Sequence, residues 1–217
     1  MRKKELLKRY ILFVISLFFI AVGVAFTKHS SLGVSPISSV ASMLSNKFTF
    51  MTMGSWSLLW NCVLIIGQII VLRKNFQLYQ LLQLPLSLLF GYFTDFGLMC
   101  VANIPSDLYV VRLLMVLVGV SLLGLGVALS VIANVTMNSA EAFVKTVSDV
   151  SGKNFGNVKV AFDVVCVVVS VTLSLIFFDM KIIETREGTL IAAVCTGFVV
   201  KFFFRLLKEP LNRLLVK

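Results

Sequence analysis

Six long apolar runs, separated by short polar stretches, set the pattern of this chain. They are Tyr10–Thr27, Ser55–Leu72, Gln80–Val101, Tyr109–Ile132, Val158–Phe178 and Thr189–Leu206. Each approaches the roughly 20 apolar residues that a hydrocarbon core of about 30 Å requires. Backbone polar groups cannot stay unpaired in lipid, so runs of this length predict helices rather than strands. Two weaker segments, Ser35–Leu44 and Ser139–Val150, are too short to cross and read as re-entrant or interfacial helices. The predicted fold class is an all-α integral membrane protein with six transmembrane helices.

Composition sharpens this picture. The chain has 217 residues, of which 59% are hydrophobic and 14% charged, with a mean hydropathy of +0.99. A soluble domain is nearer 45–50% apolar and about 25% charged, so an ordinary soluble globule and a disordered chain are both excluded. Lys and Arg number 20 against 10 Asp and Glu, a net charge of +10. In an apolar chain this excess points to the positive-inside rule rather than to nucleic acid.

The basic residues also test the span count. Met1–Arg9 (MRKKELLKR) precedes the first run, which is too long for a signal-peptide core and lacks a small-x-small cleavage site. It reads as an uncleaved span with a cytoplasmic N-terminus. Six crossings then place Arg73, Lys74, Lys145, Lys153, Lys159 and the basic C-terminal residues through Lys217 inside. Only Lys28, Lys47, Arg112, Lys181 and Arg186 fall outside. This bias is the expected one, with both termini cytoplasmic. The partner implied is the lipid bilayer. The stretch Phe202–Lys217 mixes Leu and Phe with Lys and Arg and reads as an interfacial helix broken near Pro210.

The two halves resemble each other. Gly23-Val24-Ala25 ends the first span and Gly126-Val127-Ala128 the fourth. Each half then starts its short segment, at Ser35-Pro36-Ile37-Ser38 and at Asn138-Ser139-Ala140-Glu141. Asn61 of the second span aligns with Asp163 of the fifth, and Phe90-Gly91-Tyr92 with Thr196-Gly197-Phe198. A unit with an odd number of spans must insert its second copy upside down, so the pattern reads as an inverted 3+3 repeat. The organisation is a basic N-terminus (1–9), a first repeat (10–101), a second inverted repeat (102–206) and a basic amphipathic tail (207–217). Transporters built this way hold their site at the repeat interface, marked by short interrupted helices in matching positions.

Those short helices supply the candidate site. Ser35 as N-cap with Pro36 after it is a strong helix start, and Ser38 and Ser39 add hydroxyls to the first turn. A helix N-terminus offers free N–H groups to a polar or anionic ligand. In the second copy Asn138 and Ser139 begin the helix. Glu141 either closes a capping box or serves as a carboxylate at membrane depth. Asp163 lies about 9 Å into the fifth span. It either pairs with Lys159 one turn before it or shares a proton or cation with Glu141, since desolvation raises a carboxylate pKa. The candidate substrate-binding set is thus Ser35, Ser38, Ser39, Asn61, Asn138, Ser139 and Glu141, with Glu141 and Asp163 as proton- or ion-coupling residues. Gln68 is deep enough to line a cavity, Gln77, Gln80 and Gln83 cap the turn between the second and third spans, Pro85 kinks the third, and Asp95 can pair with Arg112.

Enzyme chemistry and cofactors are not expected. The sequence has no HExxH, no GxSxG and no phosphate-binding glycine loop. His29 is the single histidine and the four cysteines form no CxxC pair, so no metal site is expected.

Leu32–Pro36 (LGVSP), the Gly91–Asp95 spacing and Glu187-Gly188-Thr189 resemble the YczE/YitT-like family of bacterial multi-span membrane proteins, over about Arg9 to Phe203. Asn134–Ser139 (NVTMNS) departs from the more glycine-rich version of that pattern. The resemblance implies a multi-span fold in a bacterial inner membrane and names no substrate.

The leading functional reading is a small secondary transporter or exporter of a small polar or charged molecule. The alternatives are a substrate-binding subunit of an energy-coupling-factor-like importer and a non-transporting membrane scaffold. A homodimer fits a chain of this size, although no span carries a GxxxG face to argue for it.

Overall fold

The computed structural model describes residues 3–105, 108–178, 180, 183 and 185–216. Of the basic residues assigned above to the two sides, Arg2, Lys181 and Lys217 lie outside the described residues. The chain forms α1 (Lys3–His29), α2 (Pro36–Lys47), α3 (Met53–Leu72), α4 (Gln83–Val101), α5 (Tyr109–Ala133), α6 (Ser139–Ser151), α7 (Phe155–Phe177) and α8 (Glu187–Val216). All but α2 and α6 are long and apolar enough to cross a membrane, which is the build of a multi-pass integral membrane protein.

Two proline expectations are corrected. Pro210 does not break the tail, because α8 continues through it to Val216. The lost N–H costs one intrahelical bond, in a stretch supported by the Glu209–Arg213 pair at 3.6 Å and by Lys208 over the Phe204 ring. Pro85 does not interrupt a span either. Two short 3-10 turns, Arg73–Asn75 and Leu78–Leu82, occupy the linker, and α4 starts at Gln83. Pro85 therefore falls in the first turn, where N–H groups have no intrahelical acceptor.

The centre of the bundle is the antiparallel pair α1 and α5, and small residues decide its geometry. A Cβ on Gly23 would lie 2.7 Å from the Gly119 carbonyl oxygen, and one on Gly126 2.8 Å from that of Ser16. The two backbones thus touch at two points one heptad apart on each helix. Phe13, Leu17, Ile20, Ala21 and Val24 pack around the crossing with Leu123 and Ala133.

The other helices attach to this pair in a mirrored order. α4 packs on α1, with Gly97 against Val22 and Ala25, and α8 packs on α5, with Gly124 against Val199. The short helices lie at opposite ends, each wedged between α3 and α7. At one end Phe48, just past α2, touches Trp56 and Phe177. At the other, Phe143 of α6 lies on Phe162 and over Gly67. The mirror fails in one place. α3 packs along α4, whereas α7 and α8 make no comparable contact among the described residues.

Polar bonds tie the short helices in. Gln68 and Gln83 exchange amide hydrogen bonds of 3.0 and 3.1 Å. Gln68 also donates to the Ser139 carbonyl, and the Ser87 and Ser139 hydroxyls lie 3.0 Å apart. Gln68 is fully buried, so it joins α3, α4 and α6 rather than lining a cavity.

Several basic side chains cap helix C-termini, where carbonyls lack partners and the dipole favours cations. Arg9 donates to the Ile132 and Ala133 carbonyls of α5, Lys8 to Leu214 of α8 and Lys47 to Phe177 of α7. Lys28 holds the end of α2 through Ser42, Ser45 and Asn46.

Two outcomes follow. Gly119→Leu drives a side chain into the α1 backbone and lowers detergent stability by about 3 kcal/mol or more, the upper end of overpacking costs. Val118→Leu, on an exposed position of the same helix, leaves it unchanged within about 0.5 kcal/mol. Thermal unfolding followed by size-exclusion chromatography distinguishes them. Gln83→Ala strands the buried Gln68 amide and costs about 1–3 kcal/mol by the same measurement.

Candidate functional site

Where α7 fails to meet α8, a cavity of about 850 Å³ opens at the α6 end of the bundle. Its walls come from both halves: Val127, Ser130 and Val131 of α5, the linker to α6, Phe155 and Lys159 of α7, Val200 of α8, and Leu72, Gln80 and Gln83 from the first half. α6 contributes its polar face, including Glu141, Lys145 and Asp149.

Local sequence sets this wall. Asn134 ends α5 in the left-handed region, φ +47°, with its N–H on the Ser130 carbonyl. Asn tolerates that conformation because its short polar side chain bonds locally. The chain then runs to Asn138, whose side-chain oxygen accepts the Ser139 N–H at 2.9 Å. Glu141 returns the bond by accepting the Asn138 backbone N–H. Glu141 is therefore both a cap and a cavity-lining acid.

Three charges gather here. Lys159 forms an ion pair with Asp163 one turn along α7, and both act electrostatically on Glu141. α6 lies outside the six spans. Burial, with help from Asp163, holds the Glu141 carboxyl above the ordinary carboxylate range, against the opposing pull of Lys159 and the Asn138 N–H. Lys159 is one cation shared by these two carboxylates, with Lys145 and Asp149 farther along the α6 wall. A carboxyl held in this way can take up a proton or the cationic end of a ligand. Among the described residues no group of His, Cys, Asp or Glu could hold a metal ion.

The candidate residues fall into three places. Asn138, Ser139, Glu141 and Asp163 meet at the α6 end, with Ser139 buried in the bonds to Gln68 and Ser87. Ser35, Ser38 and Ser39 lie at the opposite end and do not line the cavity. The Ser35 hydroxyl donates to that of Ser38 at 3.1 Å, and the Ser35 carbonyl accepts the Ser38 and Ser39 N–H groups. Ser39 is buried, and its carbonyl accepts the Ser170 hydroxyl of α7. Asn61 is buried in α3, off the cavity wall. Asp95 accepts the Gly54 N–H at 2.8 Å, and so locks α4 onto the start of α3.

Three cavity groups escape the sequence argument. Lys145 looks like a solvated helix residue and Asn134 like loop. Gln80 looks like a turn cap, yet its Oε1 is buried on the cavity wall with no hydrogen-bond partner. The signal available for Gln80 was the cluster of glutamines around one turn.

No curated protein and no solved structure matches the chain. One family model does, over residues 7–205, a range that takes in both short helices and nearly all of the spans. The chain belongs to DUF6198, a family of unknown function.

Proposed function

We propose that this chain is a small secondary transporter, built as an inverted 3+3 repeat, that carries a small polar or charged molecule through a site between the halves. On this reading it is a carrier rather than an enzyme. It sits in a bacterial inner membrane with both termini cytoplasmic, as the basic residues and the YczE/YitT-like resemblance suggest. The α6 end is then the cytoplasmic end, and α2 and α6 are re-entrant helices.

One observation carries the reading. The packing partners exchange under a swap of halves: α1 with α4 matches α5 with α8, α2 with α7 matches α6 with α3, and α2 with α3 matches α6 with α7. The central crossing obeys the same swap, since Ser16 and Gly23 on α1 stand opposite Gly126 and Gly119 on α5. A helix bundle needs no such correspondence for stability, whereas inverted-repeat carriers use it to expose one site to either side. The charged cavity at the α6 end supports an inward-open state, with Glu141 and Asp163 as the coupling acids.

Single cysteines at Ala142, on the cavity wall, and at Ser38 test it, with Cys62, Cys100, Cys166 and Cys195 replaced. Ala142→Cys reacts with a membrane-impermeant maleimide from the cytoplasmic face only. Ser38→Cys reacts from the opposite face only, and more slowly. Inertness of both from either face would remove the aqueous path and with it the carrier.

The acid makes a second prediction. Glu141 is raised above its ordinary value of 4.5, so the folded state binds its proton more tightly than the unfolded chain. Its stabilising contribution is complete below about pH 4.5 and is lost as pH rises through the raised value. Glu141→Gln flattens this fall and is the more stable form at pH 8. Melting curves from pH 4 to 8 that are parallel for the two proteins refute the assignment.

A further inference from the structure

The second half contains two glycines that its present packing does not use. Gly54 and Gly156 are each the second residue of a helix, after the N-caps Thr52 and Asn154. Both caps accept a first-turn N–H, from Ser55 and Gly156 respectively. Gly91 in α4 packs on Gly54, and Gly197 in α8 is the residue that the alignment of the halves sets against Gly91. In the first half the pair is closed. A Cβ on Gly54 would lie 2.2 Å from the Gly91 carbonyl oxygen, and one on Gly91 2.7 Å from that of Gly54. In the second half the pair is open. A Cβ on Gly197 would meet nothing within 4 Å, and one on Gly156 only the Asn154 side chain at 3.2 Å. Glycine inside a helix costs about 1 kcal/mol relative to Ala, and Gly197 has no contact here that requires it.

Resting on the carrier reading above, we propose that α7 and α8 are the gate of the cavity and close by seating Gly156 against Gly197, as Gly54 seats on Gly91. Closing removes the gap between Phe155 and Lys159 on one wall and Val200 on the other, which seals the cavity from the α6 end. The latch differs between the ends. Four residues past Gly91 stands Asp95, whose carboxylate accepts the Gly54 N–H at 2.8 Å. Four residues past Gly197 stands Lys201. The Gly156 N–H is already taken by the Asn154 side chain, and an ammonium at this place is repelled by the positive end of α7. Lys28 grips the end of α2 through three side chains, and the residue matching it in the repeat, Val131, cannot do this for α6. The α2 end is therefore latched shut, and the α6 end closes without a latch and reopens.

The test is a distance distribution in the full-length protein. Spin labels at Val160→Cys on α7 and Val194→Cys on α8, both exposed, are read by pulsed electron resonance in lipid nanodiscs on the background without native cysteines. The expected result is a main long distance and a minor short one. Lys201→Asp turns that repulsion into attraction to the positive end of α7 and raises the ratio of short to long by about threefold, the effect of one charge at a helix N-terminus. Gly197→Leu removes the short component while the melting temperature stays within about 2 °C of the parent, as an exposed site allows. A single distance that neither variant moves overturns the gate. If maleimide still labels Ala142→Cys and Ser38→Cys from opposite faces, the carrier stands with another moving part. If the labelling fails as well, both fall.

Discussion

The contact on which the rest of the structure depends is the meeting of two backbones at the centre of the bundle. Lipid tails are as apolar as the side chains they would replace, so helices in a membrane associate through close packing and polar bonds rather than through exclusion of water. Gly23 on Gly119 and Ser16 on Gly126 give α1 and α5 that closeness at two points. The pair becomes a rigid axis, with α4 hung on one helix and α8 on the other. Among the described residues nothing equivalent binds α7, which is held at its two ends by the short helices. The helix with the weakest lateral attachment is thus the one beside the cavity.

Polar groups are spent where this architecture is least supported by apolar packing. The start of α6 is fixed to α3 and α4 through Ser139, Gln68, Gln83 and Ser87. Its charged face is left toward α5 and α7. The basic excess is used in a similar way. Arg9, Lys8, Lys28 and Lys47 satisfy carbonyls or side chains at helix ends, at both ends of the bundle. The positive-inside rule describes the net bias of such residues. It does not say that two of the minority set, Lys28 and Lys47, cap helices.

The spans were legible because apolar length is a signal that lipid enforces on each segment alone. The short helices were legible for the same reason in reverse. What one segment cannot reveal is which groups face each other. Ser35, Ser38 and Ser39 have the chemistry of an open helix start, but Ser35 and Ser38 bond to each other and Ser39 is buried with its carbonyl on Ser170 of α7, and only the fold shows that. Gln68 has the depth of a cavity residue, but Gln83 and Ser139 consume its amide. The Lys159–Asp163 pair could be read from its spacing. The third member, Glu141, arrives from another helix. Pro85 and Pro210 misled for a common reason: proline disrupts a helix through the bond it removes, and at the first turn or near the exposed last turns little depends on that bond.

On the proposed carrier reading, the difference between the two ends bears on how the two halves can work together. If both ends closed on equal latches, the two states would be degenerate, and sequence drift would decide which one prevailed. A carrier needs a gap of only a few kcal/mol between its states, small enough for a ligand or a proton to reverse. One charge-assisted bond is of that size. On the proposed reading, Asp95 on one half, with Lys201 in the matching place on the other, sets that bias. Glu141, Lys159 and Asp163 lie at the mouth of the unlatched end. Any change in their charge acts on the α7 face that the proposed gate would move, so on that reading the site and the gate share one helix. Binding can then shift the balance without a signal having to travel between distant parts of the bundle.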